Sequence, residues 1–126
     1  MSVIHLFDVV SRHNQWLSVR QATIAGNIAN ANTPGYKALD VAPFEKTLEA
    51  TRLEMAATQR GHLADPGSRT AGVDVREGQP WEVTHSGNSV SLEQELINAG
   101  EVNRAYRLNT GIAKAFHRML LAAAKV

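Results

Sequence analysis

Cysteine is missing altogether from the 126 residues, so neither a disulfide framework nor a thiolate metal site is available to this chain. Excess charge is missing too. The 13 basic and 12 acidic residues leave a net charge of +1, which gives no electrostatic case for nucleic acid. No stretch approaches the roughly 18 apolar residues of a membrane span, so no direct span is expected. The opening MSVIHLFDVVSRHNQW lacks a basic leader, is interrupted by His5 and Asp8, and runs into no small-residue cleavage site. A secretory signal is therefore not expected; the chain stays in the cytoplasm or leaves by a route that reads something other than a cleaved signal. Catalytic signatures are lacking as well. His5, His13, His62, His85 and His117 form no His-Glu-x-x-His and no adjacent pair at helical ligand spacing. GNIANAN lacks the Lys and Ser/Thr of a phosphate loop, and Ser, His and Asp occur without a nucleophile elbow. The expectation is no catalytic residue, no metal, no cofactor and no enzyme.

What is present is two long stripes. From the N-terminus, steps of four and three touch Val3, Phe7, Val10, Asn14, Leu17, Gln21, Ile24, Ile28 and Ala31, a heptad-like seam that predicts one long helix over 1–32. Apart from its histidines it carries only Asp8, Arg12 and Arg20 as charged residues, and Gln21–Tyr36 carries none. So few charges suit a helix enclosed by its own core or by other subunits. The C-terminal segment, 91–126, repeats the pattern. Ser91 and Gln94 offer a capping box, and the stripe runs Leu92, Leu96, Ala99, Asn103, Tyr106, Thr110, Ala113, His117, Leu120 and Ala124, widened by a row through Ile112, Phe116, Met119 and Ala123. Acids lie early and bases late, which complements the dipole of one continuous helix. The seam residues expected to drive assembly are Val3, Phe7, Val10, Leu17, Ile24 and Ile28 in the first helix, and Leu92, Leu96, Tyr106, Ala113, Phe116 and Leu120 in the last. At 1.5 Å per residue the two helices are roughly 43 Å and 50 Å long, whereas a globule of this chain length is about 36 Å across. Both overshoot the ball and need partners along their length.

The middle, 33–90, is weaker. FEKTLEATRLEMAATQ (44–59) reads as a short amphipathic helix. RGHLADPGSRTAG (60–72) reads as loop, with Asp65-Pro66-Gly67 a turn signal. VDVREGQPWEVTH (73–85) reads as a small hairpin with Val73, Val75, Trp81 and Val83 on its strands, and Trp16 and Trp81 read as packing anchors. The fold class expected is mainly α: long terminal helices packed as a coiled-coil hairpin around a small irregular or β-hairpin middle, one elongated unit over 1–126.

The neutral run ends in NIANANTPGYKALD (27–40). Asn30 and Asn32 tolerate the left-handed conformation that ends helices. Pro34 pushes Thr33 out of the helical region, and Pro34-Gly35 fits the central positions of a type II turn, the second needing positive φ. Tyr36 packs with its hydroxyl wet; Lys37 and Asp40 restore solvation. A helix stop alone would account for the stretch.

The same residues carry a resemblance. Asn27, Ile28, Ala29, Asn30, a short polar step through Ala31 and Asn32, then Thr33, Pro34, Gly35, Tyr36 and Lys37 resemble the N-terminal signature of the bacterial flagellar rod, hook and hook-associated protein family. FEKTL and the C-terminal NSVSLEQELINAGEVNRAYRLNTGIAKAFHRMLLAA are similar to the short proximal rod members, of which there are two closely similar types. The resemblance implies a structural subunit of the flagellar basal body, in the periplasm-spanning proximal rod. There it would polymerise with copies of itself and other flagellar rod proteins, through its terminal helices, into a drive shaft and export-channel wall. It implies export by the flagellar type III apparatus without signal cleavage, and contact with the ring–rod adapter FliE and with the membrane-supramembrane ring. Two other classes are weighed against it. The heptad seams alone permit a coiled-coil adapter, but such a protein has no use for so specific an exit turn. The missing catalytic constellation argues against a small enzyme.

Overall fold

The computed structural model describes residues 3–54 and 73–125. Their elements are α1 (Val3–Ala29), β1 (Leu39–Val41), α2 (Phe44–Glu54), β2 (Val75–Glu77) and α3 (Leu92–Ala124). The expected loop 60–72, with its Asp65-Pro66-Gly67 turn, and the last residues of the expected short helix, 55–59, lie outside the described residues.

α1 and α3 pack antiparallel. The pairing is fixed at one end by Asn27 against Glu95 and further along by Arg20 on Glu101, Tyr106 on Asn14, and Phe7 edge-on to Phe116. α3 starts at Ser91, whose side chain accepts from the Gln94 backbone N–H at 3.4 Å and so satisfies one of the free donors of the first turn.

The face that α3 turns to α1 is the series Glu95, Ala99, Val102, Tyr106, Asn109, Ala113 and Phe116, alternating four and three along the helix. Glu95, Val102 and Asn109 are buried, Ala99 and Tyr106 pack on the core, and Ala113 and Phe116 are half-buried. The apolar stripe read from the sequence shares Ala99, Tyr106 and Ala113 with it. Leu92 and Leu96 lie off it, at 49% and 67% exposure, while Leu120 continues it past Phe116 and is 42% exposed at the distal end. The difference is physical: a carboxyl and an amide, Glu95 and Asn109, occupy inward positions that an all-apolar stripe steps over. On α1, Leu17 and Ile24 are buried and Val10 is half-buried. Phe7 stands 36% and Ile28 41% exposed; Asn27, beside Ile28, points inward instead.

The core gathers Trp16, Leu17, Ile24, Val41 and Val102. Trp16 anchors it, with its indole N–H donating to the Ala42 carbonyl at 2.8 Å. His13 stacks on Trp16 at 5.7 Å and meets the edge of Phe44 at 4.7 Å. Arg20 lies 5.6 Å above the Trp16 ring and pairs with Glu101 at 3.0 Å. Trp81, expected as a second anchor, is 63% exposed.

The small sheet is not the local hairpin expected within 73–85. β2 pairs antiparallel with β1, in the register Leu39–Glu77, Asp40–Arg76 and Val41–Val75. A strand signal in the sequence identifies an extended segment without naming its partner, and here the partner lies across the chain. Trp81 and Val83 follow outside any strand.

Candidate functional site

At one end of the helix pair the chain leaves α1, turns and enters β1. This exit is held by side chains of Asn27, Asn30, Asn88, Ser89 and Glu95. Asn30 closes α1: its backbone N–H reaches the carbonyls of Gly26 and Asn27 at 3.1 Å, and its side-chain amide donates again to Gly26 at 2.8 Å. The stop was expected from left-handed asparagines. Instead no described non-glycine residue has positive φ, and tightened turn bonds from Ala31 to Ile28 and from Thr33 to Asn30 finish the helix. Orphan carbonyls at a helix C-terminus need donors from elsewhere. Asn88 supplies them, its amide donating to the carbonyls of Asn30 and Thr33 at 2.8 Å each.

Pro34-Gly35 then turns the chain. The Tyr36 N–H bonds the Thr33 carbonyl at 3.2 Å and Gly35 has φ +74°, the bond and the sign that a type II turn demands. The turn docks on residues 86–89. Gly35 N–H donates to the Ser86 carbonyl at 2.9 Å, Ser89 N–H to the Tyr36 carbonyl at 3.0 Å, and Ala38 N–H to the Ser89 hydroxyl at 2.8 Å. Gly87, at φ +81°, lies directly against Gly35, and Lys37 Nζ reaches its carbonyl at 3.4 Å.

Beneath the turn sits Asn27, 1% exposed. Its amide donates to the Leu39 carbonyl at 2.8 Å and its oxygen accepts from the Leu39 N–H at 2.9 Å, so the side chain pairs with the backbone as a neighbouring strand would. The same amide donates to Glu95 Oε1 at 3.1 Å. The Tyr36 hydroxyl turns inward to the Asn27 oxygen at 3.3 Å rather than staying in water. One side chain thus joins α1, β1, the turn and α3. Glu95 is 3% exposed, and its Oε2 has no partner. Burial raises its pKa above the ordinary carboxyl value; the Asn27 bond lowers it, Asp40 raises it, and Arg20 lowers it, in falling order of weight.

The signature residues Asn27, Asn30 and Thr33 to Lys37 therefore converge on one clasp. Ile28, Ala29 and Asn32 do not enter it and face solvent, and Ala31 is half-buried. Sequence reading missed the other half, Asn88, Ser89 and Glu95. The capping-box reading of Ser91 lay beside them, but nothing local in NSV says that its amide closes a helix sixty residues away. His13 was also missed. Its Nδ1 lies 2.7 Å from the Asn109 amide, which donates to Asn14 as well at 2.9 Å. Among the described residues no three His, Asp or Glu converge on a point that could hold a metal ion, and no helix is long and apolar enough to cross a membrane.

Comparison with known proteins adds to this geometry. The family model described as flagella basal body rod protein matches residues 14–37, the second half of α1 through the exit turn. A flagellar basal body rod protein FlgB from Agrobacterium fabrum is 43% identical over 99% of this chain and 96% of its own length. FlgB proteins from Proteus mirabilis and Borrelia hermsii are 33% and 30% identical, over 70% and 83% of this chain and 70% and 84% of their own lengths. The other proximal rod type, FlgC, is not favoured by these relatives. The match to the family model falls on the clasped exit and the similarity to the Agrobacterium protein runs nearly end to end: the chain belongs to the FlgB family of flagellar basal body rod proteins.

Proposed function

We propose that this rod subunit polymerises through its terminal helices and that the clasp fixes the angle at which the middle segment leaves them. Membership of the family makes the chain a structural component of the flagellar basal body rod, associated with other rod components. The observation that carries the finer reading is the surface of α3. Leu92, Leu96, Ile97, Leu108, Met119, Leu120 and Leu121 are each between 42% and 67% exposed. Leu92, Leu96 and Leu121 share one side of the helix and Ile97, Leu108 and Met119 another; exposed apolar surface of this extent marks an interaction surface, and a monomer gains nothing from it. A second support is the cleft of about 320 Å³ between α1 and α3, lined by Gln21, Ile24, Ala99, Val102, Asn103 and Tyr106, which offers a neighbour's side chains a mixed apolar and amide seat.

In this reading the helices line the wall of a tube, and the exit turn sends 36–90 outward. The subunit crosses the inner membrane unfolded, through the flagellar type III export apparatus and without signal cleavage. It meets other rod subunits, the adapter FliE and the membrane-supramembrane ring in the periplasm. The test is recovery of basal bodies from a strain carrying a tagged chain: the tag is expected in the rod fraction at full length. A tagged chain that restores motility yet is absent from purified rods overturns the structural reading.

A further inference from the structure

The near-zero net charge conceals a segregation along the molecule. Residues 102–126 hold Arg104, Arg107, Lys114, Arg118 and Lys125 and not one acid, whereas residues 73–101 hold six acids against Arg76 alone. The four on α3 and Lys125, which caps it, fall within about 80° of arc at 100° per residue. All five are exposed, on the side away from the buried Val102 and Asn109. Of the six acids, Glu95 is buried and Glu101 is paired with Arg20. Asp74, Glu77, Glu82 and Glu93 remain exposed, from the residue before β2 through the segment after it to the first turn of α3. Among them stand Trp81, Val83 and Val75, at 63%, 52% and 43% exposure.

We propose that the basic stripe of α3 docks on the acidic, Trp81-bearing patch of a second copy of this chain. The proposal rests on the assembly reading above and names one contact between copies. The chemistry of the two surfaces is complementary. An exposed indole with acidic residues close in sequence, Glu77 and Glu82, offers an Arg-bearing helix both a π face and counter-charges. Leu108, Met119 and Leu121, flanking the stripe and 64%, 61% and 50% exposed, offer apolar contact to Val75 and Val83. The patches lie at opposite ends of the helix pair: Glu93 and Arg118 are 25 residues apart on one helix, about 37 Å. They cannot meet within one chain, so each is left to find its counterpart on a second copy. Made head to tail, the contact is heterologous and stays open to further subunits, as a rod requires; made in both directions at once, it closes a two-fold pair.

The experiment uses the full chain in solution. One variant reverses the stripe (Arg107→Glu, Lys114→Glu, Arg118→Glu); the other reverses the patch (Glu77→Lys, Glu82→Lys) and removes the ring (Trp81→Ala). Sedimentation velocity at low salt should find concentration-dependent oligomers of the wild type, weakened at least about tenfold by 0.5 M salt. Each variant alone should be monomeric. Mixed together they should associate again, because each retains the one surface the other needs and the reversed surfaces are opposite in charge. Circular dichroism of each variant establishes that it is folded, so loss of association cannot be loss of structure. Unchanged association of either folded variant overturns the proposal, as does a mixture that stays monomeric. If the stripe serves anionic lipid instead, the wild type remains monomeric and floats with phosphatidylglycerol vesicles, which also overturns it. Tagged chains found in rods despite such a result would leave the structural role standing and remove only this contact.

Discussion

Asn27 makes bonds to Leu39, Glu95 and Tyr36 from a position with 1% exposure, and no smaller side chain can replace them. Asn27→Ala would leave the part-buried Leu39 backbone and the buried Glu95 without those partners, and orphaning a buried polar group such as Glu95 costs about 1–3 kcal/mol. Glu95 adds a pH dependence. Its pKa stands above the ordinary 4.5 because burial disfavours the charged form, so the folded chain holds that proton more tightly than the unfolded one. The contribution is complete below the unfolded value and is lost as pH climbs through the raised folded value. Thermal melts should therefore show stability declining from about pH 4.5 upward through that range, and Glu95→Gln should flatten the decline, since a neutral amide can still accept from Asn27. An identical pH profile for the two proteins would remove Glu95 as the source. Gly35 tests the backbone. A Cβ built there meets nothing within 4 Å, so only φ +74° opposes a side chain. Gly35→Val should cost on the order of 1–3 kcal/mol and impair motility with export intact by immunoblot, while Gly35→Asn, which tolerates positive φ, should be much milder. Equal behaviour of the two would show that conformation is not the reason for the glycine.

At the scale of elements, much of the architecture was legible and the faces were less so. Length and four-three periodicity identified both long helices, because a pattern sustained over some thirty residues outweighs any single residue within it. Pro34-Gly35 identified the turn, because few other pairs satisfy its dihedrals. Two things were hidden. The inward face of α3 includes Glu95 and Asn109, polar residues buried only because Asn27, His13 and Asn14 meet them across the helix pair; burial earned by a distant partner leaves no local trace. The strand at 75–77 found its partner in β1, more than thirty residues back, and pairing at that distance is likewise not written in either segment. The corrected face makes a paired prediction. Val102 is 3% and Leu96 67% exposed, so Val102→Asp should unfold the subunit, because an unpaired buried charge has no compensation. Leu96→Asp should leave it folded by circular dichroism while blocking its incorporation into rods. If both unfold, Leu96 supports the monomer; if Leu96→Asp enters rods normally, its row is not an assembly surface.

The whole molecule is held from one end. The clasp, the sheet and the Trp16 core all lie along Trp16 to Asn27 of α1 and the facing stretch of α3. Beyond Asn109 no described residue of α3 is buried, and Phe7 edge-on to Phe116 is the aromatic contact that ties the distal tips. An isolated helix shorter than about 12–15 residues is marginal in water. The tip of α3 from 114 to 124, with Met119 and Leu121 exposed, has little beyond its own hydrogen bonds to hold it. Its apolar surface can be buried only by another chain, and binding that favours the folded form stabilises it by mass action. Hydrogen exchange on dilute, verified monomer should therefore show a gradient. Amides of 16–27 and 95–109 should exchange only with global unfolding, whereas those of 114–124 and of 3–10 should exchange with little protection. In assembled rods the distal amides should become as protected as the core. Strong protection of 114–124 in the monomer would mean that the tip folds without neighbours, and the length of α3 would then need a reason other than assembly.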